Sequence, residues 1–125
     1  MSLVLDTGAL IAFDRGDRQV AALIEAARRR RDRVLISSGC VGQSWRDGAR
    51  QAQLARLLAG VDERPLDPDI SRAVGELCAR ARSNDVVDAH VVLLTHDGDV
   101  VLTSDQPDIK RLLRAHGVSA DVIPC

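Results

Sequence analysis

The stretch Leu3-Val4-Leu5-Asp6-Thr7-Gly8 decides most of the fold, because an apolar run ends directly in a carboxylate. A similar stretch comes late in the chain, where Val100-Val101-Leu102 leads through Thr103 and Ser104 to Asp105. Continuous aliphatic runs of this kind are typical of parallel strands that are covered on both faces. The carboxyl ends of parallel strands lie at one edge of a sheet, where ligands bind. The sequence therefore predicts two acids at the same sheet edge.

The order of patterns along the chain predicts a three-layer α/β/α domain. Two further apolar runs, 34–36 and 122–123, suit strands, and the second would lie at an edge. Between the strands, apolar residues recur at the three- and four-residue spacing of amphipathic helices. The resulting order, β-α-α-β-α-α-α-α-β-α-β, predicts a mostly parallel central sheet with right-handed crossovers. We expect one domain spanning residues 1–125, with a loop at 64–68.

Composition limits the classes of protein to consider. Seventeen Lys and Arg against eighteen Asp and Glu give a formal net charge of -1, which neither indicates nor excludes a nucleic-acid partner. The cysteines Cys40, Cys78 and Cys125 lack metal-finger spacing, and no apolar signal region precedes the first strand. We expect a cytoplasmic protein with reduced thiols. We expect no membrane span either, because charges interrupt every apolar stretch.

Basic and aromatic residues give weaker indications. One uninterrupted basic block, here called the arginine block, consists of Arg28, Arg29, Arg30 and Arg31. It could contact RNA phosphates, although a solvated helix end is the commoner explanation of such a run. Only Phe13 and Trp45 are aromatic, so base stacking cannot be the main way of holding a single strand. We expect Trp45 in the core, and structural or surface roles for the three histidines.

A third acid, Asp88, lies three residues after Asp85 at the start of a predicted helix. An Asp at the N-cap with another in the first turn is a common capping arrangement, so the pair could be only structural. However, apolar neighbours such as Val87 and Val91 surround Asp88. A buried carboxylate must be paired or bound to a cation, because a lone buried charge is costly.

Helix capping could also explain Asp6, Asp105 and Asp108, since each lies at or near a predicted helix start. Together with Asp88, these acids would converge on one sheet edge. Carboxylates about 4 Å apart repel by roughly 4 kcal/mol at a near-surface dielectric, and a divalent cation would offset that cost. Oxygen ligands favour Mg²⁺ or Mn²⁺ over Zn²⁺. An open acid cluster of this kind typically supports phosphoryl chemistry.

Four segments, taken in order, resemble the PIN domains, and specifically the VapC ribonuclease toxins of bacterial toxin-antitoxin pairs. The segments are Leu3-Val4-Leu5-Asp6-Thr7-Gly8-Ala9-Leu10, Gln43-Ser44-Trp45-Arg46, Asp85-Val86-Val87-Asp88-Ala89-His90 and Val101-Leu102-Thr103-Ser104-Asp105. The resemblance spans nearly the whole chain. It implies a PIN-like fold and a Mg²⁺- or Mn²⁺-dependent endoribonuclease. Its catalytic and metal-binding acids would be Asp6, Asp88 and Asp105, with Thr103 hydrogen-bonded to Asp6.

The resemblance also implies an RNA substrate, a VapB-like antitoxin whose arm covers the acidic pocket, and a homodimer. At one position the chain departs from the family pattern, because Gln43 stands where a glutamate is usual. Glutamine keeps an oxygen donor but carries no charge and cannot act as a general base, a loss that Asp108 could partly offset.

Two alternatives remain open. The first is a weakened or inactive PIN domain that binds RNA or an antitoxin. The second is a receiver-like phosphoacceptor domain, which fits less well because no acidic pair follows the first strand.

Overall fold

One sheet of five strands forms the centre of the computed structural model, which describes all residues from 1 to 125. The strands are β1 (Ser2–Leu5), β2 (Arg33–Ser37), β3 (Asp62–Arg64), β4 (Val100–Thr103) and β5 (Asp121–Pro124). Every neighbouring pair is parallel, and the order is β3-β2-β1-β4-β5. The first strand is therefore the central one. This order also differs from the 2-1-3-4-5 order of receiver-type domains, which excludes that alternative.

Seven α-helices connect and cover the strands. They are α1 (Thr7–Asp14), α2 (Arg18–Arg29), α3 (Ser38–Ser44), α4 (Ala52–Ala59), α5 (Pro68–Ala81), α6 (Val86–Leu93) and α7 (Gln106–His116). Right-handed crossovers place α1–α4 on one face of the sheet and α5–α7 on the other. The helix contacts agree, because α1 packs against α2, α3 and α4, whereas α5, α6 and α7 pack against one another. The predicted three-layer arrangement is confirmed.

The core explains why the first strand is an unbroken apolar run. Leu3, Val4 and Leu5 are all buried, because helices cover both faces of the sheet and β2 and β4 flank β1. They belong to a cluster of 26 buried apolar residues that extends through both helical layers. No helix is both long and apolar enough to cross a membrane.

Two local expectations were wrong. The first concerns residues 62–68, where a loop was expected at 64–68 and no strand before it. In the structure Arg64 is the last residue of strand β3. Its sequence, Asp-Glu-Arg, has no apolar run that could indicate a strand. This edge strand is held instead by backbone pairing with β2. The guanidinium groups of Arg33 and Arg64 also pair with the carboxylate of Asp62, at 3.0 and 2.7 Å.

The second concerns Trp45, which is 37% exposed rather than in the core. It follows the last residue of α3, and the chain then enters a short 3₁₀ turn at Gly48–Arg50. A Cβ atom added to Gly48 would lie 2.8 Å from the indole ring, so the ring rests on that backbone. The apolar spacing that predicted a buried Trp45 assumes one continuous helix, but α3 ends at Ser44.

Candidate metal centre

Asp6 lies directly after β1, where it caps the N-terminus of α1. Its side chain is buried, and its Oδ1 accepts the backbone N–H of Thr7 at 2.7 Å while Oδ2 accepts the hydroxyl of Thr103 at 2.6 Å. The hydrogen bond expected from Thr103 is thus present. Burial raises the pKa of Asp6 even though these hydrogen bonds lower it. The carboxylate is therefore fixed in orientation but costly to charge without a cation.

The thiol of Cys40 also faces Asp6, with its Sγ donating to Oδ1 at 3.7 Å. Burial raises the pKa of this thiol to about 12, and the charge of Asp6 contributes to the rise. Cys40 is therefore a neutral, fully buried neighbour of Asp6. Thiolates are the form of cysteine that binds metal, so this residue is not expected to be a ligand.

Asp88 lies in the first turn of α6 and is also buried. Burial is the main cause that raises its pKa to about 8, followed by the charge of Asp6 and a hydrogen bond with Asp108. Its backbone N–H donates to Oδ1 of Asp85 at 2.9 Å, so Asp85 is the N-cap that the sequence predicted. Burial and the neighbouring acids therefore both favour the protonated form of Asp88 over its carboxylate.

Three carboxylates converge at this edge of the sheet and are here called the acid cluster. One oxygen each from Asp85, Asp88 and Asp108 lies within 4.8 Å of the others. The contact between α6 and α7 brings them together, because Asp85 and Asp88 begin one helix and Asp108 lies in the first turn of the other. Only one nearby cation contacts them, since Arg111 donates to Oδ1 of Asp108.

The three predicted acids, Asp6, Asp88 and Asp105, lie in different environments. Asp6 lies close enough to Asp88 for its charge to raise the pKa of that residue. Asp105 is exposed and caps α7, and its backbone N–H donates to the Thr103 hydroxyl at 2.9 Å. It lies outside the acid cluster, in which Asp108 takes part instead.

Sequence reasoning interpreted Asp85 as a cap and did not consider it as a ligand. Asp85 does cap α6, but the cap hydrogen bond uses only Oδ1 of this exposed side chain. The spacing of three residues between Asp85 and Asp88 was the available signal, because residues three apart lie on the same side of a helix.

Gln43 lies on the exposed side of α3, and its Oε1 accepts the hydroxyl of Thr7. The amide is therefore linked to Asp6 through one residue, since the N–H of Thr7 binds Asp6. The arginine block lies elsewhere. It ends α2 and precedes β2, which places it at the amino edge of the parallel sheet, opposite the acids.

A close contact holds the two loops of the site together. A Cβ atom at Gly8 would lie 2.3 Å from Oγ and 3.1 Å from the backbone nitrogen of Ser104. Only glycine lets the start of α1 approach the loop between β4 and α7 so closely. Gly8 thereby sets the distance between the segments that carry Asp6 and Asp105.

The donor set of the site consists of carboxylates. The only buried histidine nearby, His90, lies with its Nδ1 2.6 Å from the Ser37 hydroxyl, and burial lowers its pKa. Carboxylate oxygens are the ligands that Mg²⁺ and Mn²⁺ prefer, whereas structural zinc sites use histidine and cysteine. The residues present therefore fit a hard divalent cation.

The fold has a clear counterpart among solved structures. The protein is similar to a chain in the crystal structure of VapBC2 from Rickettsia felis bound to a DNA fragment from their promoter. The TM-score is 0.69 at 15% sequence identity, and the match covers 98% of this chain and 99% of that one. No model of a known family and no curated protein matches the sequence. The expected resemblance to the VapC fold is confirmed in three dimensions.

Proposed function

We propose that the protein is a metal-dependent endoribonuclease of the VapC type. The observation that carries this proposal is the acid cluster, in which Asp85, Asp88 and Asp108 meet beside the buried Asp6. Folding such a group without a cation is costly, as the raised pKa of Asp88 indicates. A divalent cation offsets this cost, and acid sites of this type serve phosphoryl transfer.

Asp6 and Asp88 are the main proposed ligands of Mg²⁺ or Mn²⁺. Asp108 is proposed as the third because it lies half-buried in the acid cluster, whereas Asp85 is exposed and caps α6. Asp105 remains a candidate that would hold a water or orient the nucleophile. When bound, the cation would polarise the scissile phosphate and generate a hydroxide from water.

The chain's own residues prepare this site. Thr7 and Thr103 each donate a hydrogen bond to a different oxygen of Asp6, which fixes the orientation of the carboxylate. Because the pKa of Asp88 is raised and a metal ligand must be deprotonated, cation binding at this residue would be coupled to proton release. Arg111 neutralises part of the charge of Asp108.

The proposed partners follow from the similarity to the VapBC2 complex, since that structure contains an antitoxin together with its toxin. We infer a VapB-like antitoxin that covers the acid cluster and blocks access of RNA. Homodimerisation belongs to the same proposal.

The test is cleavage of total cellular RNA by the purified protein in Mg²⁺ or Mn²⁺, with EDTA and Asp6→Ala as controls. We expect metal-dependent cleavage that Asp6→Ala abolishes. A matched pair, Asp105→Ala and Asp108→Ala, then separates the two candidates for the third acid, because the true ligand costs more activity and metal affinity. RNA that stays intact with every metal, in protein shown to be folded, would contradict the proposal.

One observation favours a second function, a PIN-like domain that binds RNA or an antitoxin without appreciable cleavage. Gln43 replaces the glutamate usual in the family and offers Oε1 to Thr7. Since an amide adds no charge, the site holds less negative charge for a second cation. This alternative predicts binding by the wild-type protein and cleavage only after Gln43→Glu.

A further inference from the structure

Two cavities open along α1 and share two of their lining residues, Ile11 and Arg15. The first has a volume of about 520 Å³ and the second about 270 Å³. We call the combined depression the α1 trough. Besides the shared pair, the residues that define it here are Gly8, Ser104, Gln43 and Arg46.

The α1 trough reaches residues near Asp6, although the buried Asp6 lines neither cavity. Gly8, in the first cavity, lies two residues after Asp6, and Ser104 immediately precedes Asp105. In the second cavity, Gln43 accepts the hydroxyl of Thr7, whose backbone N–H binds Asp6. The first cavity thus comes within two residues of Asp6 in the chain, and the second is linked to Asp6 through Thr7.

Two arginines of the trough have donors available for an anion. Arg15 and Arg46 are exposed, and neither takes part in a salt bridge. Nη1 of Arg46 donates to the carbonyl oxygens of Gly42 and Trp45, at 3.0 and 2.7 Å, and this fixes the side chain. Its Nε and Nη2 remain free, so the guanidinium is held in place with one side open.

The two acids that line the trough are engaged elsewhere. Asp14 accepts the backbone N–H of Leu54 at 3.3 Å and the side-chain amide of Gln51 at 3.2 Å. Asp17 accepts the backbone N–H of Val20 at 3.0 Å, as the N-cap of α2. Both carboxylates therefore accept hydrogen bonds at helix N-termini, and neither forms a salt bridge with Arg15 or Arg46.

We propose that the α1 trough holds the backbone of single-stranded RNA, with Arg15 and Arg46 each binding a phosphate next to the one that faces Asp6. This inference rests on the proposed ribonuclease function and specifies how its substrate is positioned. It also explains why a protein with a net charge of -1 needs no basic surface overall. Two cations beside the acids are enough to set the register of the strand.

The test measures binding without cleavage. Fluorescence anisotropy with a labelled single-stranded RNA of about 12 nucleotides, within the usual site sizes, is recorded in EDTA at several salt concentrations. We expect Arg15→Ala and Arg46→Ala each to weaken binding about fivefold, and each to lower the slope of log K against log salt by about 0.7. Arg15→Lys and Arg46→Lys should retain most of that slope.

Arg72→Ala is the matched control, because Nη1 of Arg72 also donates to a carbonyl four residues earlier, that of Pro68 at 3.1 Å. This exposed arginine lines neither cavity, so its removal should change neither affinity nor slope.

Three results would overturn the inference. These are absence of RNA binding, unchanged binding by both trough variants, and loss of binding only when the arginine block is replaced by alanine. Because EDTA prevents cleavage, failure of the ribonuclease proposal is seen separately, in the assay with metal.

Discussion

The hydroxyl of Thr103 donates a 2.6 Å hydrogen bond to Oδ2 of Asp6, although 97 residues separate them in the chain. The same hydroxyl oxygen accepts the backbone N–H of Asp105 at 2.9 Å. Thr103 and Asp6 are both buried, so no water replaces either bond at low cost. One side chain therefore connects the ends of β1 and β4 with the start of α7.

Thr103→Val removes this hydroxyl and keeps the shape of the side chain. We expect a loss of about 1–3 kcal/mol in the free energy of unfolding, because a buried carboxylate loses a hydrogen-bond donor. The pKa of Asp6 should rise further, since this hydrogen bond lowers it. Urea denaturation measures the stability, and Thr103→Ser, which retains the hydroxyl, should lose less. A valine variant as stable as wild type would contradict the prediction.

Gly8→Ala tests the contact between α1 and the loop before α7. The new Cβ atom would lie 2.3 Å from Oγ of Ser104, so the loop must move. We expect a loss of about 1–3 kcal/mol, which is the usual cost of overpacking. The variant's thermal denaturation gives the value. Ser104→Gly in the same chain should recover part of the loss, because only the backbone nitrogen at 3.1 Å then remains in the way.

Gly75→Ala is the matched control for that substitution. Gly75 lies within α5, and a Cβ atom there would meet nothing within 4 Å. We expect a gain of about 0.4–1 kcal/mol, because alanine restricts the unfolded chain. If Gly8→Ala were equally stabilising, the close approach to Ser104 would not constrain the site.

The pH dependence of stability should reveal the proton on Asp88. The pKa of this residue rises from 3.8 to about 8 in the folded protein. Between these values the folded protein keeps a proton that the unfolded chain has lost, so stability of the metal-free protein falls as pH rises. The raised pKa of Asp6 acts in the same direction. A tenfold change in an acid dissociation constant between the folded and unfolded protein corresponds to about 1.4 kcal/mol.

His90 requires a control in that experiment, because burial lowers its pKa from 6.5 and its contribution to stability rises with pH below that value. The informative quantity is therefore the difference between wild type and Asp88→Asn, measured by urea denaturation in EDTA. We expect the asparagine variant to gain in relative stability from pH 5 to pH 8. A constant difference would show that Asp88 is charged throughout.

Gln43→Glu should strengthen metal binding. The new carboxylate keeps an acceptor for the Thr7 hydroxyl and adds a negative charge beside the site. At about 4 Å in water a pair of unit charges contributes about 1 kcal/mol, and a divalent cation with one carboxylate about 2 kcal/mol. Since about 1.4 kcal/mol is a factor of ten, the cation should bind roughly thirtyfold more tightly. Isothermal titration with Mn²⁺ measures the affinity, and Gln43→Ala serves as the control. If neither affinity nor RNA cleavage changes, Gln43 is no handicap.

The parts of the fold that follow from buried apolar runs could be predicted from the sequence. The runs at β1, β2 and β4 indicate parallel strands, and the acids that follow β1 and β4 indicate the edge at which the site forms. The strand at Asp62–Arg64 could not be predicted in this way, because its side chains are all charged and backbone pairing determines its conformation.

The membership of the acid cluster was harder to predict. Asp105 and Asp108 lie three residues apart around the same helix start, and both are typical capping residues. The backbone N–H of Asp108 is capped by Asp105, which leaves the carboxylate of Asp108 to meet α6. Tertiary packing of α6 against α7 decides this, and the local sequence does not record it.

The central position of β1 has a consequence for synthesis of the protein. Strand β1 is translated first, and its neighbours in the sheet are β2 (residues 33–37) and β4 (residues 100–103). Of the five strands, β4 is the fourth to be translated. Until then one side of β1 lacks its backbone partner, and an open strand edge invites pairing with other chains. A nascent chain that ends before β4 thus has Asp6 and Asp88 but no assembled centre. The proposed activity would therefore be absent until β4 has been translated.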